Sequence, residues 1–307
     1  MPGGEKGCAM HMLLPRTLPE ALELKAARPE AVPIAGGTDL MVDLNFGRRR
    51  PSLMMDVSRL AELRRWRRDD GTVALGSGVT YTQIVAGLSD CRPLVEASRT
   101  VGSPQIRNRG TVGGNLGTAS PAGDALPVLA AYDAEVTLVA AGGRRRTMPW
   151  HQFMTGPKKT AIRQEELILE TGWRFVRGTG SFSKVGTRNA MVIAVASLCL
   201  ILDEDRRAIR VALGSVGPTV LRAPDAERFA SEVLARVGLW DDSATALPPK
   251  VLNDFGERVA AAAVPIDDVR GTAAYRRHAC AVMARRALAW ALHDRTRGTG
   301  QPRSGSC

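Results

Sequence analysis

The chain has 307 residues, of which 44% are hydrophobic and only 5% aromatic. The length suits two packed domains or one large one, with cores filled mainly by aliphatic side chains. Its longest apolar run, residues 191–202, is shorter than the roughly 18 residues that a membrane-spanning helix needs and is rich in β-branched residues, which favours a buried strand. The formal net charge of +11 suggests a basic surface, but no basic-aromatic motif accompanies it, so nucleic acid is not an expected partner.

Cysteine and histidine are scattered along the chain. No two cysteines have CxxC spacing and no histidines have HxxxH spacing, so we expect neither a disulfide framework nor a metal or iron–sulfur cluster held by this chain. The N-terminus lacks a charged region followed by an apolar stretch and a cleavage site, which predicts a cytoplasmic protein. The cysteines are Cys8, Cys91, Cys199, Cys280 and Cys307.

The first half of the chain alternates short strands with helices. Thr17 and Glu20 have the spacing of a capping box and predict a helix that ends near Ala27. Aliphatic segments bounded by Gly, Asp or Ser predict strands, and helices are expected near residues 81–88, 93–101 and 124–132. The predicted strands are AVPIA, SLMMDV, GTVALGS, AEVTLVA and LILETGWRF.

The second half has its strands first and its helices afterwards. SFSKVGT, VIAVASLCLIL and AIRVALGSV precede helical patterns near residues 224–237, 248–262 and 272–293, which predicts an α+β domain with an antiparallel sheet backed by helices. The small polar segment 177–181 is the predicted linker. We therefore expect a first domain over residues 1–176 and a second over 177–295. The Gly/Ser/Pro/Arg tail, 296–307, and the first several residues are predicted to be disordered.

Two glycine-rich turns are the strongest candidates for a ligand site. One is IAGGTDL, residues 34–40, directly after a predicted strand, and the other is TVGGN, residues 111–115. Paired glycines permit positive φ and bring the backbone close to a ligand, and successive N–H groups can form a nest for phosphate. Either pair alone is more often a simple tight turn. There is no P-loop, and GSGVTY lacks the third glycine of a dinucleotide fingerprint, which disfavours a Rossmann fold.

Arginine clusters at residues 48–50, 64–68 and 144–146 are each flanked by residues typical of turns. We expect solvated hairpin ends, and a basic face that docks an acidic partner subunit is the alternative.

Taken in order, IAGGTDLMVDL, GSGVTYTQI, IRNRGTVGGNLGTASPAGDALPVLAAYDAEVTL, SFSKVGTRNAMVIAVASLCL and ALGSVGPTVLRA resemble the medium, FAD-binding subunit of the xanthine dehydrogenase and carbon monoxide dehydrogenase family. The resemblance covers nearly the whole chain. It implies an FAD-binding domain of the vanillyl-alcohol oxidase (PCMH) type, followed by the smaller C-terminal domain of these subunits. It also implies non-covalent FAD.

The resemblance further implies the residues that contact FAD. Residues 35–40 would wrap the diphosphate from one side and residues 111–115 from the other. Asp124 would lie near the ribityl–adenosine part, Ile168 would contact the adenine or the flavin, and Lys184 would reach the flavin from the second domain. The predicted cofactor-binding residues are Ile34, Ala35, Gly36, Gly37, Thr38, Asp39, Leu40, Val101, Thr111, Gly113, Gly114, Asn115, Ser120, Asp124, Ile168 and Lys184.

Simpler structural roles are open for several of these residues. Thr38 or Asp39 could cap a short helix, Asp124 could cap the next helix, and Lys184 could be a solvated strand lysine. Residues 275–277, Tyr-Arg-Arg, resemble a family motif, and we interpret them as packing or subunit-interface residues.

The function implied by the resemblance is electron relay. A large partner subunit would hydroxylate the substrate at a molybdopterin cofactor, a small partner would carry two [2Fe–2S] clusters, and this chain's FAD would pass electrons to NAD⁺, a quinone, oxygen or another carrier. Purine or xanthine is the first expectation for the substrate, followed by other N-heterocycles, aldehydes and CO. Two alternatives are a self-contained flavin oxidase of the vanillyl-alcohol oxidase type and a non-enzymatic basic interaction module.

Overall fold

The computed structural model describes residues 10–241 and 246–296. The N-terminal residues predicted to be disordered, and the tail from residue 297 onward, lie outside the described residues. Thr296, the first residue assigned to the tail, is instead the last residue of a long helix.

Short strands and helices make up the first half of the chain, and longer ones the second. The strands are β1 (His11–Leu13), β2 (Val32–Ile34), β3 (Leu53–Asp56), β4 (Trp66–Asp69), β5 (Thr72–Gly76), β6 (Glu135–Val139), β7 (Arg145–Pro149), β8 (Met154–Gly156), β9 (Lys159–Thr160), β10 (Leu167–Arg174), β11 (Gly180–Val185), β12 (Ala196–Asp203), β13 (Ala208–Gly214) and β14 (Leu221–Arg222). The α-helices are α1 (Leu18–Ala27), α2 (Leu40–Asn45), α3 (Tyr81–Gly87), α4 (Arg92–Thr100), α5 (Pro104–Arg109), α6 (Val112–Thr118), α7 (Ala125–Ala131), α8 (Trp150–Phe153), α9 (Pro224–Arg236), α10 (Pro249–Ala262) and α11 (Ala273–Thr296).

The N-terminal region is a three-stranded parallel sheet with the order β1-β3-β2. Helix α1 packs beside it and begins as predicted, because the Thr17 hydroxyl accepts a hydrogen bond from the Glu20 N–H at 3.3 Å. The other half of the predicted capping box is wrong by one residue, since the Glu20 carboxylate accepts from the N–H of Arg16, not of Thr17. The helix N-terminus is thus satisfied from both sides.

A five-stranded antiparallel sheet with the order β4-β5-β10-β6-β7 forms the centre of the first half. Along β10, buried residues alternate with partly exposed ones, as expected for a strand with one face on a core. Leu75 and Leu138 of this sheet share a hydrophobic core with Leu94 of α4 and Leu129 of α7. Val101 and Asp124, which line the candidate site, flank α4 and α7.

The second half is a four-stranded antiparallel sheet, β11-β12-β13-β14, backed by α9, α10 and α11. Every residue of β12 is buried. Its Cys199 and Ile201 belong to the core shared with α4 and α7, whereas Leu198 and Leu200 belong to the core formed with the C-terminal helices. A strand covered on both faces explains the apolar residues 196–202. The predicted buried strand begins too early, because residues 191–195 precede β12, and Met191 and Ile193 are exposed. The predicted α+β class is confirmed.

The predicted linker at residues 177–181 overlaps the connection between β10 and β11, which spans residues 175–179. Gly180 and Ser181 belong to β11. Thr179 is buried, and its hydroxyl donates to the carbonyl of Ala291 in α11 at 2.7 Å. The connection is short and fixed by packing, and the division of the chain at residues 176 and 177 stays a prediction.

The arginine clusters differ from one another. Arg144–Arg146 lie at the β6–β7 hairpin as expected. Arg146, however, forms a bidentate ion pair with the buried carboxylate of Glu166. Residues 64 and 65 precede β4, and residues 66–68 belong to this strand at the edge of the five-stranded sheet. Residues 48–50 join α2 to β3 and are therefore not a hairpin end. Among the described residues, no helix is long and apolar enough to cross a membrane.

Candidate cofactor-binding site

One cavity of about 660 Å³ brings the predicted site residues together, and its size falls within the roughly 300–1,000 Å³ usual for ligand and cofactor pockets. Its walls come from the turn after β2, from α6 and the loop that follows it, from β10 and from β11. Every predicted cofactor-binding residue lines this cavity: Ile34, Ala35, Gly36, Gly37, Thr38, Asp39, Leu40, Val101, Thr111, Gly113, Gly114, Asn115, Ser120, Asp124, Ile168 and Lys184.

The first glycine turn, residues 35–40, has free backbone donors. Gly37 has φ +75°, which a residue with a Cβ adopts only at a cost. The backbone N–H groups of residues 36–39 donate to no group in the described part of the chain. Donors in a turn that lines a cavity are suited to the oxygens of an anionic ligand.

Gly36 has a different role from its neighbour. A Cβ on Gly36 would lie 1.9 Å from the carbonyl oxygen of Arg109, which is too close for any side chain. Arg109 ends α5, immediately before the second glycine turn. The missing side chain of Gly36 therefore allows the two turns to touch each other.

The second glycine turn, residues 111–115, does not form the predicted phosphate nest. The N–H of Gly113 donates to the carbonyl of Ser77 at 2.9 Å, and the N–H of Gly114 donates to the Thr111 hydroxyl at 2.9 Å. These bonds cap α6 and fix it to the segment after β5. The turn contributes shape, because a Cβ on Gly114 would meet only the Thr111 hydroxyl oxygen at 3.1 Å and otherwise face open space.

Asp124 and Lys184 form a buried ion pair across the cavity wall. The Lys184 Nζ lies 2.6 Å from the Asp124 Oδ2, and the two side chains are 8% and 7% exposed. The backbone carbonyl of Thr100 accepts a second hydrogen bond from Lys184 at 3.2 Å. Burial raises the pKa of the Asp124 carboxyl, and the Lys184 ammonium limits that rise.

This pair overturns two of the simpler alternatives. Asp124 occupies the N-cap position of α7, yet its side chain makes no capping hydrogen bond. Lys184 is buried and is not a solvated strand lysine. Asp39 precedes α2 and also caps nothing with its side chain, because its carboxylate accepts a hydrogen bond from the Thr118 hydroxyl at 3.1 Å instead.

The residues present fit a dinucleotide flavin. Asn115 Oδ1 and Asp124 Oδ1 are buried acceptors without a hydrogen-bond partner in the described part of the chain, and sugar or ribityl hydroxyls could satisfy them. The free N–H groups of residues 36–39 could hold phosphate oxygens. Ile34, Val101 and Ile168 supply apolar surface for planar rings.

Sequence reasoning missed several residues of the cavity wall. Ser77 and Gly78 line it and belong to GSGVTY, a segment that resembles the family but from which no ligand contact was predicted. Thr118 lies three residues after the second turn, in the segment LGTASPAGD, whose proximity to the turn could have indicated it. Arg49, Lys158 and the segment 191–193 also line the cavity, but no sequence motif points to them.

Tyr275, Arg276 and Arg277 lie on α11, outside the cavity. Arg276 is buried, and its guanidinium donates to the carbonyls of Val195 and Ser215 and pairs with Asp268. Arg276 is therefore a packing residue, as interpreted from the sequence.

Two sequence families match the chain. Residues 8–171 match the family described as the FAD binding domain in molybdopterin dehydrogenase, and residues 181–291 match the CO dehydrogenase flavoprotein C-terminal domain.

Individual proteins agree with these families. The nicotinate dehydrogenase FAD-subunit of Eubacterium barkeri is 32% identical over 78% of this chain and 84% of its own length. The xanthine dehydrogenase FAD-binding subunit of Escherichia coli O157:H7 is 30% identical over 79% of this chain and 85% of its own. Among solved structures, a chain of carbon monoxide dehydrogenase from Hydrogenophaga pseudoflava, in a form that lacks the Mo-pyranopterin moiety of its cofactor, superposes with a TM-score of 0.78 at 27% identity, covering 92% of this chain and 98% of that one.

Proposed function

The chain belongs to the FAD-binding subunits of the xanthine dehydrogenase and carbon monoxide dehydrogenase family of molybdenum hydroxylases, and from this premise we propose that it carries electrons from an iron–sulfur subunit to an external acceptor. It is an oxidoreductase subunit with FAD as its cofactor. The single observation that carries the proposed site is the convergence of both glycine turns, Asp124 and Lys184 on one cavity.

Each part of the cavity has a role in the proposed binding of FAD. The N–H groups of residues 36–39 bind the diphosphate, and Gly114 lets the ligand approach α6. The unpaired oxygens of Asn115 and Asp124 accept hydrogen bonds from hydroxyl groups. Lys184 reaches the cavity from β11 and brings the second half of the chain into the site. Bound FAD supplies the ability to take electrons singly and release them in pairs.

The proposed partners are a small subunit with two [2Fe–2S] clusters and a large molybdopterin subunit. In that complex the substrate is hydroxylated on the large subunit, and this chain acts only on electrons. NAD⁺ or a quinone is the proposed acceptor. Cytoplasmic location stays a prediction.

The proposed cofactor can be tested on the full chain alone. We expect the purified protein to show flavin absorbance, and denaturation to release FAD that chromatography identifies. A folded, colourless preparation that takes up no added FAD would contradict the proposal.

The proposed electron path needs the partners. In the assembled complex, addition of the substrate under anaerobic conditions should bleach the flavin absorbance. The isolated chain should not respond to the same substrate. Reduction of the isolated chain by a small alcohol or aldehyde would instead favour a self-contained flavin oxidase.

A further inference from the structure

Two positively charged side chains on the cavity wall have no role in the site described above. The charged residues that line the cavity are Asp39, Asp43, Arg49, Asp124, Lys158 and Lys184. Asp124 and Lys184 neutralise each other. Within the described residues, Arg49 and Lys158 form no hydrogen bond or ion pair through their side chains. We propose that Arg49 and Lys158 bind the diphosphate of FAD, an inference that rests on the proposed function.

The charge balance of the wall supports this role. Once the Asp124–Lys184 pair is set aside, Asp39 and Asp43 are the remaining acidic groups that line the cavity. Within the described ranges, one ion pair involves these two carboxylates, that of Asp43 with the Arg48 guanidinium at 4.0 Å. Without Arg49 and Lys158 this wall would repel a diphosphate, whereas with them its net charge is balanced before the ligand binds.

Arg49 and Lys158 lie near the elements that form the proposed diphosphate site, namely the first glycine turn and α6. The N–H of Lys158 donates to the carbonyl of Ala119, the residue that follows α6, at 3.1 Å. Arg49 follows α2, which begins directly after the first glycine turn. The hydrogen bond between Thr118 and Asp39 joins the end of α6 to that turn. Arg49 and Lys158 therefore flank the region in which the first glycine turn, residues 35–40, meets the end of α6.

The backbone at Lys158 is a second, independent observation. Pro157 and Lys158 form the two-residue turn between β8 and β9, in which Gly156 pairs with Lys159. Lys158 has φ +54°, at a turn position that favours Gly or Asn. A lysine kept in a conformation that costs free energy, with its side chain on a cavity wall, points to a requirement for that side chain.

The experiment compares flavins that differ in phosphate content. The full chain is stripped of flavin and titrated with FAD and with riboflavin, which lacks phosphate, at low and at high salt. The variants are Arg49→Gln and Lys158→Gln. Their matched controls are Arg50→Gln and Lys159→Gln, which remove the same charge from neighbouring exposed positions that do not line the cavity.

We expect Arg49→Gln and Lys158→Gln each to weaken FAD binding about three- to fivefold at low salt and less at high salt, because exposed charges are screened. Riboflavin affinity should not change, and the controls should bind FAD like the parent chain. Lys158→Gly should weaken FAD binding to the same extent while its unfolding midpoint stays equal or rises, since glycine relieves the strained φ.

The outcomes separate this inference from the proposed function. If the parent chain binds FAD and the Arg49 and Lys158 variants bind it equally well, or lose riboflavin affinity in the same proportion, the two cations do not bind the diphosphate. An equal loss in the Arg50 and Lys159 controls would also overturn the assignment. If the parent chain binds no FAD at all, the proposed function itself fails.

Discussion

The two glycine turns look alike in the sequence but differ in the structure. The turn at residues 35–40 leaves its N–H groups at residues 36–39 without partners in the described part of the chain. The turn at residues 111–115 uses the N–H groups of Gly113 and Gly114 to fix α6 in place. The first therefore offers backbone donors to a ligand, whereas the second offers a fixed backbone surface at its two glycines and the Asn115 Oδ1, unpaired within the described ranges, as an acceptor. A pair of glycines alone does not distinguish these roles.

The largest effect on stability should come from Asp124, which pairs with Lys184 in the cavity wall. Replacing Asp124 with Ala leaves the buried Lys184 ammonium unpaired, so we expect a loss of about 3–5 kcal/mol in the free energy of unfolding. Urea unfolding measures this directly. The double variant Asp124→Leu with Lys184→Met should recover most of the loss, because it removes both buried charges. Equal stability of Asp124→Ala and the parent chain would show that the Asp124–Lys184 ion pair does not stabilise the cavity wall.

The contact between the two turns gives the next largest effect. Gly36→Ala places a Cβ against the carbonyl of Arg109, and neither backbone can move freely, so we expect a loss of about 2–3 kcal/mol in stability. Gly172→Ala is a suitable control, because its Cβ would make only an ordinary 3.4 Å contact with the carbonyl of Val73. If Gly36→Ala lowers FAD affinity but leaves the unfolding midpoint of the flavin-free chain unchanged, Gly36 would serve the ligand and not the contact between the turns.

Gly114→Val tests whether the second turn is shaped for a ligand. The valine side chain would project from α6 into the cavity, so FAD affinity should fall about thirtyfold, or about 2 kcal/mol. Stability should fall by about 0.5–2 kcal/mol, the range for loss of a helix cap, because the new Cβ would lie 3.1 Å from the Thr111 hydroxyl that caps α6. Titration of the flavin-free chain measures the affinity, and Ala86→Val on the exposed face of α3 controls for a valine in a short helix. Unchanged FAD binding would exclude Gly114 from the site.

The smallest effect concerns the hydrogen bond between Thr118 and Asp39, which joins the end of α6 to the first glycine turn. Thr118→Val removes the hydrogen bond to Asp39, and we expect a loss of about 0.5–1 kcal/mol, typical of one partly exposed hydrogen bond. In the FAD titration this appears as a two- to fivefold weaker affinity, because the first turn loses its tie to α6. Thr137→Val removes a hydrogen bond between exposed threonines in the β6–β7 hairpin and should not affect FAD.

Much of the fold was available from local sequence patterns. Alternating or continuous apolar runs predicted β10 and β12, and the spacing of Thr17 and Glu20 predicted the start of α1. These signals are local, because side-chain alternation and capping act over a few residues. The predicted linker at residues 177–181 extends two residues into β11, because small polar residues such as Ser181 can also pack into a sheet.

By itself, the sequence determined which segments would form the site, since their motifs resemble one family along the whole chain and every nominated residue lines the same cavity. Only the tertiary structure decided what each residue does there. Whether a turn's N–H groups are free, whether Lys184 is solvated or paired with Asp124, and whether Arg49 and Lys158 reach the cavity all depend on partners distant in the chain. Hydrogen bonds, burial and charge pairing arise between segments once they are packed together, and local sequence carries no record of those neighbours.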